Sequence, residues 1–171
     1  GYVTTWQRRK LKRDFAAQKN YVKEMCNGDY VFHLDADEMP NEFLITNLHQ
    51  ILESNDNVDL IWVPRINTVD GLTQKHIIEW NWRVTNKGWI NFPDPQARIF
   101  RNSKDIKWTS RVHEHIVGCD VISQLPHKEE FCLYHHKSIT KQELQNELYG
   151  EIINEVKDTF VETQKNYLKE S

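Results

Sequence analysis

The sequence predicts a mixed α/β fold, and three observations carry that prediction. Four short runs rich in β-branched and aromatic residues, 30–34, 58–63, 96–102 and 131–134, read as strands. Around them, apolar residues recur at three- and four-residue spacing, the period of a helix packed on one side. The first strand runs straight into three acids, Asp35, Asp37 and Glu38. That is the carboxyl end of a strand, where open α/β sheets place their ligands. A chain of 171 residues suits one domain with its own core.

The elements follow in order. Leu11, Phe15, Val22, Met25 and Cys26 predict a helix over about 7–27, with Gly28 as the residue that stops it. Arg8, Arg9, Lys10, Lys12 and Arg13 make a basic cluster, either a solvated face or a patch for phosphates or an acidic membrane surface. After the acids, Pro40 suits the first turn of a helix whose stripe is Phe43, Leu44, Leu48, Ile51 and Leu52. Strand 58–63 follows, and Pro64 limits its end to an edge or a bend. Asp70-Gly71 is a hairpin signal, with 74–85 as the returning strand. Trp80, Trp82, Trp89 and Phe92 then crowd together. Such aromatics either pack a loop onto a sheet or form a wall on which a sugar ring stacks. Strand 96–102 carries Arg98 and Arg101, suited to bidentate phosphate contact or to pairing with acids. Residues 108–117 alternate as one strand, with His113 and His115 on one side and Glu114 on the other. Strand 131–134 runs into His135 and His136. Thr140-x-x-Glu143 reads as a capping box. Leu144, Leu148, Ile152, Val156 and Phe160 then place a long helix over 140–171, an oligomer contact or a link to a further domain.

Asp35 and Asp37 lie two apart, so in an extended chain both face one side. Two carboxylates that close repel unless a cation lies between them. Mg²⁺ and Mn²⁺ are held in this way, by one or two carboxylates together with substrate phosphates. The plain alternative is an acidic turn that opens the next helix.

Leu34-Asp35-Ala36-Asp37-Glu38 resembles the Asp-X-Asp motif of family 2 glycosyltransferases of the GT-A fold. Phe15-Ala16-Ala17-Gln18-Lys19-Asn20 resembles the "F-A-x-x-R-N" helix that precedes that motif. Gln96-Ala97-Arg98-Ile99-Phe100-Arg101 resembles the "x-x-R-L-F-R" strand after it, and Arg111-Val112-His113-Glu114 the "V-H-E" strand that follows. Leu133-Tyr134-His135-His136-Lys137, with Lys141-Gln142 and Gln145-Asn146, resembles the "L-x-H-x-K … R-Q-x-x-Q-N" ending of some members. The five pieces stand in the family's order and span about residues 13–150.

The resemblance implies a GT-A-like mixed sheet flanked by helices, in a single domain over 1–171 that ends in the long helix. Nothing in the chain resembles the family's amino-terminal segment with its "P-x-Y-N-E" start. The expectation is therefore a fold whose amino-terminal strands are missing or truncated, in a fragment of a longer enzyme or a truncated relative. The implied activity is transfer of a sugar from a nucleoside-diphosphate donor to an acceptor hydroxyl, dependent on Mn²⁺ or Mg²⁺ and generally inverting. The implied metal and donor residues are Asp35 and Asp37, with His135 as the late histidine and His136 as its fallback. Asn20 becomes a structural or donor-side contact, and Arg98 a contact to the donor diphosphate. Glu114 becomes the base that takes the acceptor proton, with Glu38 competing. Trp80, Trp82, Trp89 and His113 fall on the acceptor side.

Composition sets the bounds. A formal net charge of −3 gives no global field for nucleic acid. Six Trp, seven Phe and six Tyr argue against disorder. No apolar run approaches the ~20 residues of a membrane span. Three cysteines without close spacing suggest reduced thiols in a cytoplasmic compartment, or at most one bridge, and a peripheral place at a membrane stays open as the alternative. Two readings from other classes stand beside the transferase: a truncated non-catalytic module that binds carbohydrate or a partner, and a metal-dependent phosphohydrolase or nuclease using Asp35, Asp37 and the histidines.

Overall fold

The computed structural model describes residues 5–111 and 113–167, the side chains of 155–167 excepted. Two continuous apolar runs make its centre. β3 (Leu60–Val63) pairs antiparallel with β5 (Gln96–Arg101), and both lie between two cores. Leu60 and Phe100 join one core with Ala16 of α1 (Phe15–Lys23). Ile61 and Ile99 join the other with Leu44 of α2 (Glu42–Thr46). Strands buried on both faces read as unbroken apolar runs, which is why these two are visible in the sequence. β1 (Tyr30–Phe32) flanks β5 antiparallel, and β8 (Ile122–Gln124) flanks β3 parallel, so the order is β1-β5-β3-β8.

The β3–β5 pairing slips once. It steps from Ile61↔Ile99 to Trp62↔Ala97, which leaves Arg98 as the extra residue of a β-bulge. A bulge breaks the alternation and re-aims a side chain. Ala97 and Ile99 accordingly enter different cores, although they lie two apart.

Pro64, fully buried, carries the chain from this sheet to a second one. There β9 (Leu133–Ser138) lies between β2 (Glu38–Pro40), antiparallel, and β4 (Arg65–Asp70), parallel. A two-stranded ribbon joins β6 (Lys107–Thr109) to β7 (His115–Val117). The fold is mixed α/β, with mixed sheets and the carboxyl-terminal helix α5 (Ile139–Tyr167). No helix among the described residues is long and apolar enough to cross a membrane. Cys26, Cys119 and Cys132 are free thiols.

Several local expectations give way, each for a local reason. The first helix begins at Phe15, not near residue 7. Lys12 and Arg13 take left-handed backbone (φ 53° each), and Asp14 caps the helix by accepting from the Ala17 N–H at 2.8 Å. It ends at Lys23 with Glu24 as its cap, so Gly28 lies beyond it rather than stopping it. β1 closes at Phe32, which leaves Asp35 and Asp37 outside the strand, in the turn that ends where Glu38 opens β2. Pro40 closes β2 instead of opening a helix; Asn41 caps α2, and Asn47 divides the apolar stripe between α2 and α3 (Leu48–Glu53). Residues 74–85 hold no returning strand. Thr73 and His76 cap each other reciprocally and start α4 (Gln74–Glu79). The single strand expected over 108–117 is two, because Ser110 (φ 74°) and His113 (φ 51°) turn the chain between β6 and β7. The last strand starts at Leu133, after a 3-10 turn at Glu129–Phe131. Thr140 lies inside the first turn of α5, and Ser138 Oγ accepts from the Lys141 N–H at 3.3 Å. On that helix Ile152 is buried and Leu144 exposed, while the Val156 and Phe160 side chains and residues 168–171 lie outside the described residues.

Candidate functional site

Strand register assembles the site. Across β2-β9-β4, Glu38, His135 and Asn67 stand side by side. β9 alternates, so Leu133, His135 and Lys137 face inward. The turn from β1 to β2 brings in Asp35 and Asp37; it is closed by the Glu38 N–H donating to the Asp35 carbonyl at 3.0 Å, and the Asp35 N–H donates back to Glu38 Oε2 at 3.2 Å. The bulge supplies Arg98. Asp35, Asp37, Arg98, His135 and Lys137, together with Lys19 of α1 and Glu114, line a cleft of about 480 Å³.

Beneath the cleft sits a buried ion network. The Glu38 side chain is 0% exposed, and its Oε1 accepts from Arg98 at 2.6 Å and from Arg65 at 2.8 Å. Arg98, 3% exposed, also donates to Asp35 Oδ2 at 2.5 Å. Lys19 Nζ lies 3.5 Å from Asp35 Oδ1, 2.6 Å from Glu114 Oε1 and 4.3 Å from the centre of the Trp108 ring. Burial works to raise the Asp35 pKa, but the His33 hydrogen bond and the charges of Arg98 and Lys19 outweigh it and hold the carboxyl far below its ordinary value.

Asp37 is placed differently. Its Oδ2 lies 3.0 Å from Lys141 Nζ and 3.3 Å from His135 Nε2. His135 Nδ1 lies 2.7 Å from Asn67 Oδ1. The Asn67 amide is oriented by its Nδ2, which donates to Asp94 Oδ2 at 2.6 Å, so Nδ1 must be the donating nitrogen of His135. Burial first, then Arg65 and Lys137, lower the His135 pKa, which keeps the ring neutral at neutral pH. Its Nε2 is then an acceptor facing a carboxylate oxygen. Asp37 itself is ionised there: burial would raise its pKa, but the hydrogen bond from Lys141 and the charge of that ammonium bring it below the ordinary value.

Two acceptors at that separation fit one cation. Neighbouring ligands of an octahedral Mg²⁺ or Mn²⁺, each about 2.1 Å from the ion, lie roughly 3 Å apart. A histidine whose second nitrogen is held by an amide oxygen is also the usual form of a metal ligand. Among the described residues no three His, Cys, Asp or Glu side chains converge on one metal position. The fit is thus to two protein donors, with water and phosphate oxygens completing the shell. The Asp35 carboxylate is instead engaged by Arg98 and Lys19.

Two buried polar groups stay unsatisfied: Arg98 Nε and Trp108 Nε1 have no hydrogen-bond partner among the described residues, and although both residues line the cleft these two atoms are closed off from solvent. Such donors cost stability unless an acceptor reaches them.

The remaining sequence-predicted residues separate. His113 and Glu114 line the cleft. Asn20 does not: its amide donates to the Trp108 carbonyl and accepts from the Trp108 N–H, both at 2.9 Å, tying α1 to β6. Glu38 lies behind the cleft wall. Trp80, Trp82 and Trp89 are not among the residues that line the main cleft. Trp82 lines an adjoining hollow of about 230 Å³, which shares Arg65, His135, Lys137, Gln145 and Tyr149 with it. Trp80 packs against His76 and Trp82, and Trp89 against Phe92.

Lys19, Lys137, Gln145 and Tyr149 are cleft residues that sequence patterning does not single out. The first three stand inside the quoted motif pieces, where a signal exists. Tyr149 has none; burial holds its hydroxyl protonated, and the Gln145 amide donates to it at 2.9 Å. No family model matches the chain, and no curated protein sequence matches it.

Proposed function

We propose that this chain carries the catalytic site of a GT-A-type glycosyltransferase, which moves a sugar from a nucleoside-diphosphate donor to an acceptor hydroxyl. The observation that carries the reading is the pair of facing acceptors, Asp37 Oδ2 and His135 Nε2, at 3.3 Å. In this reading Asp37 and His135 would hold a Mn²⁺ or Mg²⁺ ion, which would supply neutralisation of the charge that builds on a leaving diphosphate. Asp35 keeps Arg98 and Lys19 in place. Glu114 takes the proton from the acceptor hydroxyl, with Lys19 fixing one of its oxygens. Glu38 does not serve, because it is enclosed by two guanidinium groups. The acceptor approaches through the hollow beside Trp82, past His135 and Tyr149. A single base suits a single displacement, hence inversion.

Calorimetric titration with UDP and with GDP, each with and without Mn²⁺, tests this. Metal-dependent binding of either supports the reading and selects the nucleotide for a transfer assay. Binding of neither, by protein folded by circular dichroism, contradicts it. One observation favours a second reading. The Asp35 carboxylate is already satisfied by Arg98 and Lys19, as in a non-catalytic carbohydrate-binding module that keeps its acids for structure. Saccharide binding without any metal-dependent nucleotide binding would favour that module.

A further inference from the structure

The carboxylate in the facing pair already touches a cation. Lys141 Nζ is 3.0 Å from Asp37 Oδ2, the oxygen that His135 Nε2 also faces. Lys141 comes from the first turn of α5, and its backbone is anchored there by Ser138. The side chain is not confined: it is 55% exposed, against 27% for Asp37 and 9% for His135. It can swing on its four-carbon stem while the other two stay in place.

We propose that Lys141 is a place-holding cation. It neutralises Asp37 in the ligand-free cleft, gives up that oxygen when a divalent ion arrives, and then takes an oxygen of the incoming phosphate. The inference rests on the metal reading above and adds that the metal must displace a resident charge. An ammonium and a divalent ion sharing one carboxylate oxygen would sit within about 5 Å of each other and repel strongly. The Arg and Lys side chains that line the cleft are committed. Arg98 is held by Asp35 and Glu38, Arg65 by Glu38 and Asp94, Lys19 by Glu114 and Asp35, and Lys137 donates to Gln145. Lys141 is therefore the cation that metal binding releases, and an ammonium is a good point-charge partner for phosphate.

The test uses Mn²⁺ and then pyrophosphate as probes, followed by calorimetry on three proteins. These are the unaltered chain, Lys141→Met, and Lys104→Met, which removes the same charge from an exposed loop between β5 and β6. Mn²⁺ alone should bind Lys141→Met about two- to fivefold tighter than the unaltered chain, the factor expected for losing one partly exposed ion pair. Lys104→Met should bind as the unaltered chain does. In saturating Mn²⁺, pyrophosphate should bind Lys141→Met more weakly by a similar factor. Equal or weaker Mn²⁺ binding by Lys141→Met, equal tightening by Lys104→Met, or unchanged pyrophosphate binding each overturns the inference and leaves the metal reading standing. Absence of Mn²⁺ binding by all three folded proteins overturns both.

Discussion

Replacing Glu38 with Gln removes one negative charge from a fully enclosed side chain. The Glu38 side chain is 0% exposed and lies between Arg98 and Arg65, whose side chains are 3% and 17% exposed. Removing one partner from a buried pair costs about 3–5 kcal/mol, because the surviving charge is left uncompensated. Here Arg98 keeps Asp35 and Arg65 keeps Asp94, which argues for the low end, about 3 kcal/mol. The amide adds a geometric conflict. One oxygen can still accept from the guanidinium groups, but the new NH₂ then faces the Asp35 N–H, which now donates to Oε2 at 3.2 Å. Urea unfolding followed by tryptophan fluorescence and far-ultraviolet circular dichroism measures the loss. Its melting temperature should fall by roughly 6–12 °C, at about 2–4 °C per kcal/mol for a chain of this size. A loss below about 1 kcal/mol with an unchanged m-value would refute the claim that Glu38 organises the site floor.

Asn67→Ala removes the oxygen that sets the His135 tautomer, and Mn²⁺ affinity should fall about 10- to 100-fold by calorimetry. Glu114→Gln should leave Mn²⁺-dependent nucleotide binding intact while abolishing transfer, as read by product formation with the nucleotide that binds. Acid should destabilise the fold in two stages. His135 has a folded pKa below 6.5, so as pH drops through 6.5 the unfolded chain takes its proton first and stability begins to fall. Asp35 and Asp37 have folded pKa values below 3.8, so their contribution is complete above the unfolded value and is lost as pH falls below about 4. Urea midpoints from pH 7 to pH 2 measure this, and Asp35→Asn should flatten the lower stage.

What was legible follows from physical cause. β3 and β5 are buried on both faces, and a run such as Leu60-Ile61-Trp62-Val63 has few other readings. The acid turn was legible because Asp35 and Asp37 follow a strand with no apolar residue between them but Ala36. The start of α1 was hidden because Leu11 keeps helical spacing while Lys12 and Arg13 adopt left-handed backbone, which side-chain pattern does not report. Residues 74–79 misled because their cap uses His76 where a capping box normally has Glu or Gln. The break at Ser110 and His113 falls within an alternating pattern and moves Glu114 from a strand face into the cleft beside Lys19. The role of Arg98 depends on a bulge, a mismatch between two distant strands, and Asn20 turned out to clamp Trp108 for a similarly long-range reason. His135 was visible as a motif histidine, but its tautomer comes from Asn67, a residue of another strand.

The central claim is that Asp37 and His135 share a divalent cation. Crystals grown with Mn²⁺ and the nucleoside diphosphate that binds, with diffraction collected at the manganese absorption edge, test it most directly. The account predicts an anomalous peak between Asp37 Oδ2 and His135 Nε2, about 2.1 Å from each, with phosphate oxygens completing the shell. A nucleotide bound in the cleft with no peak there, or with manganese held elsewhere, would contradict it.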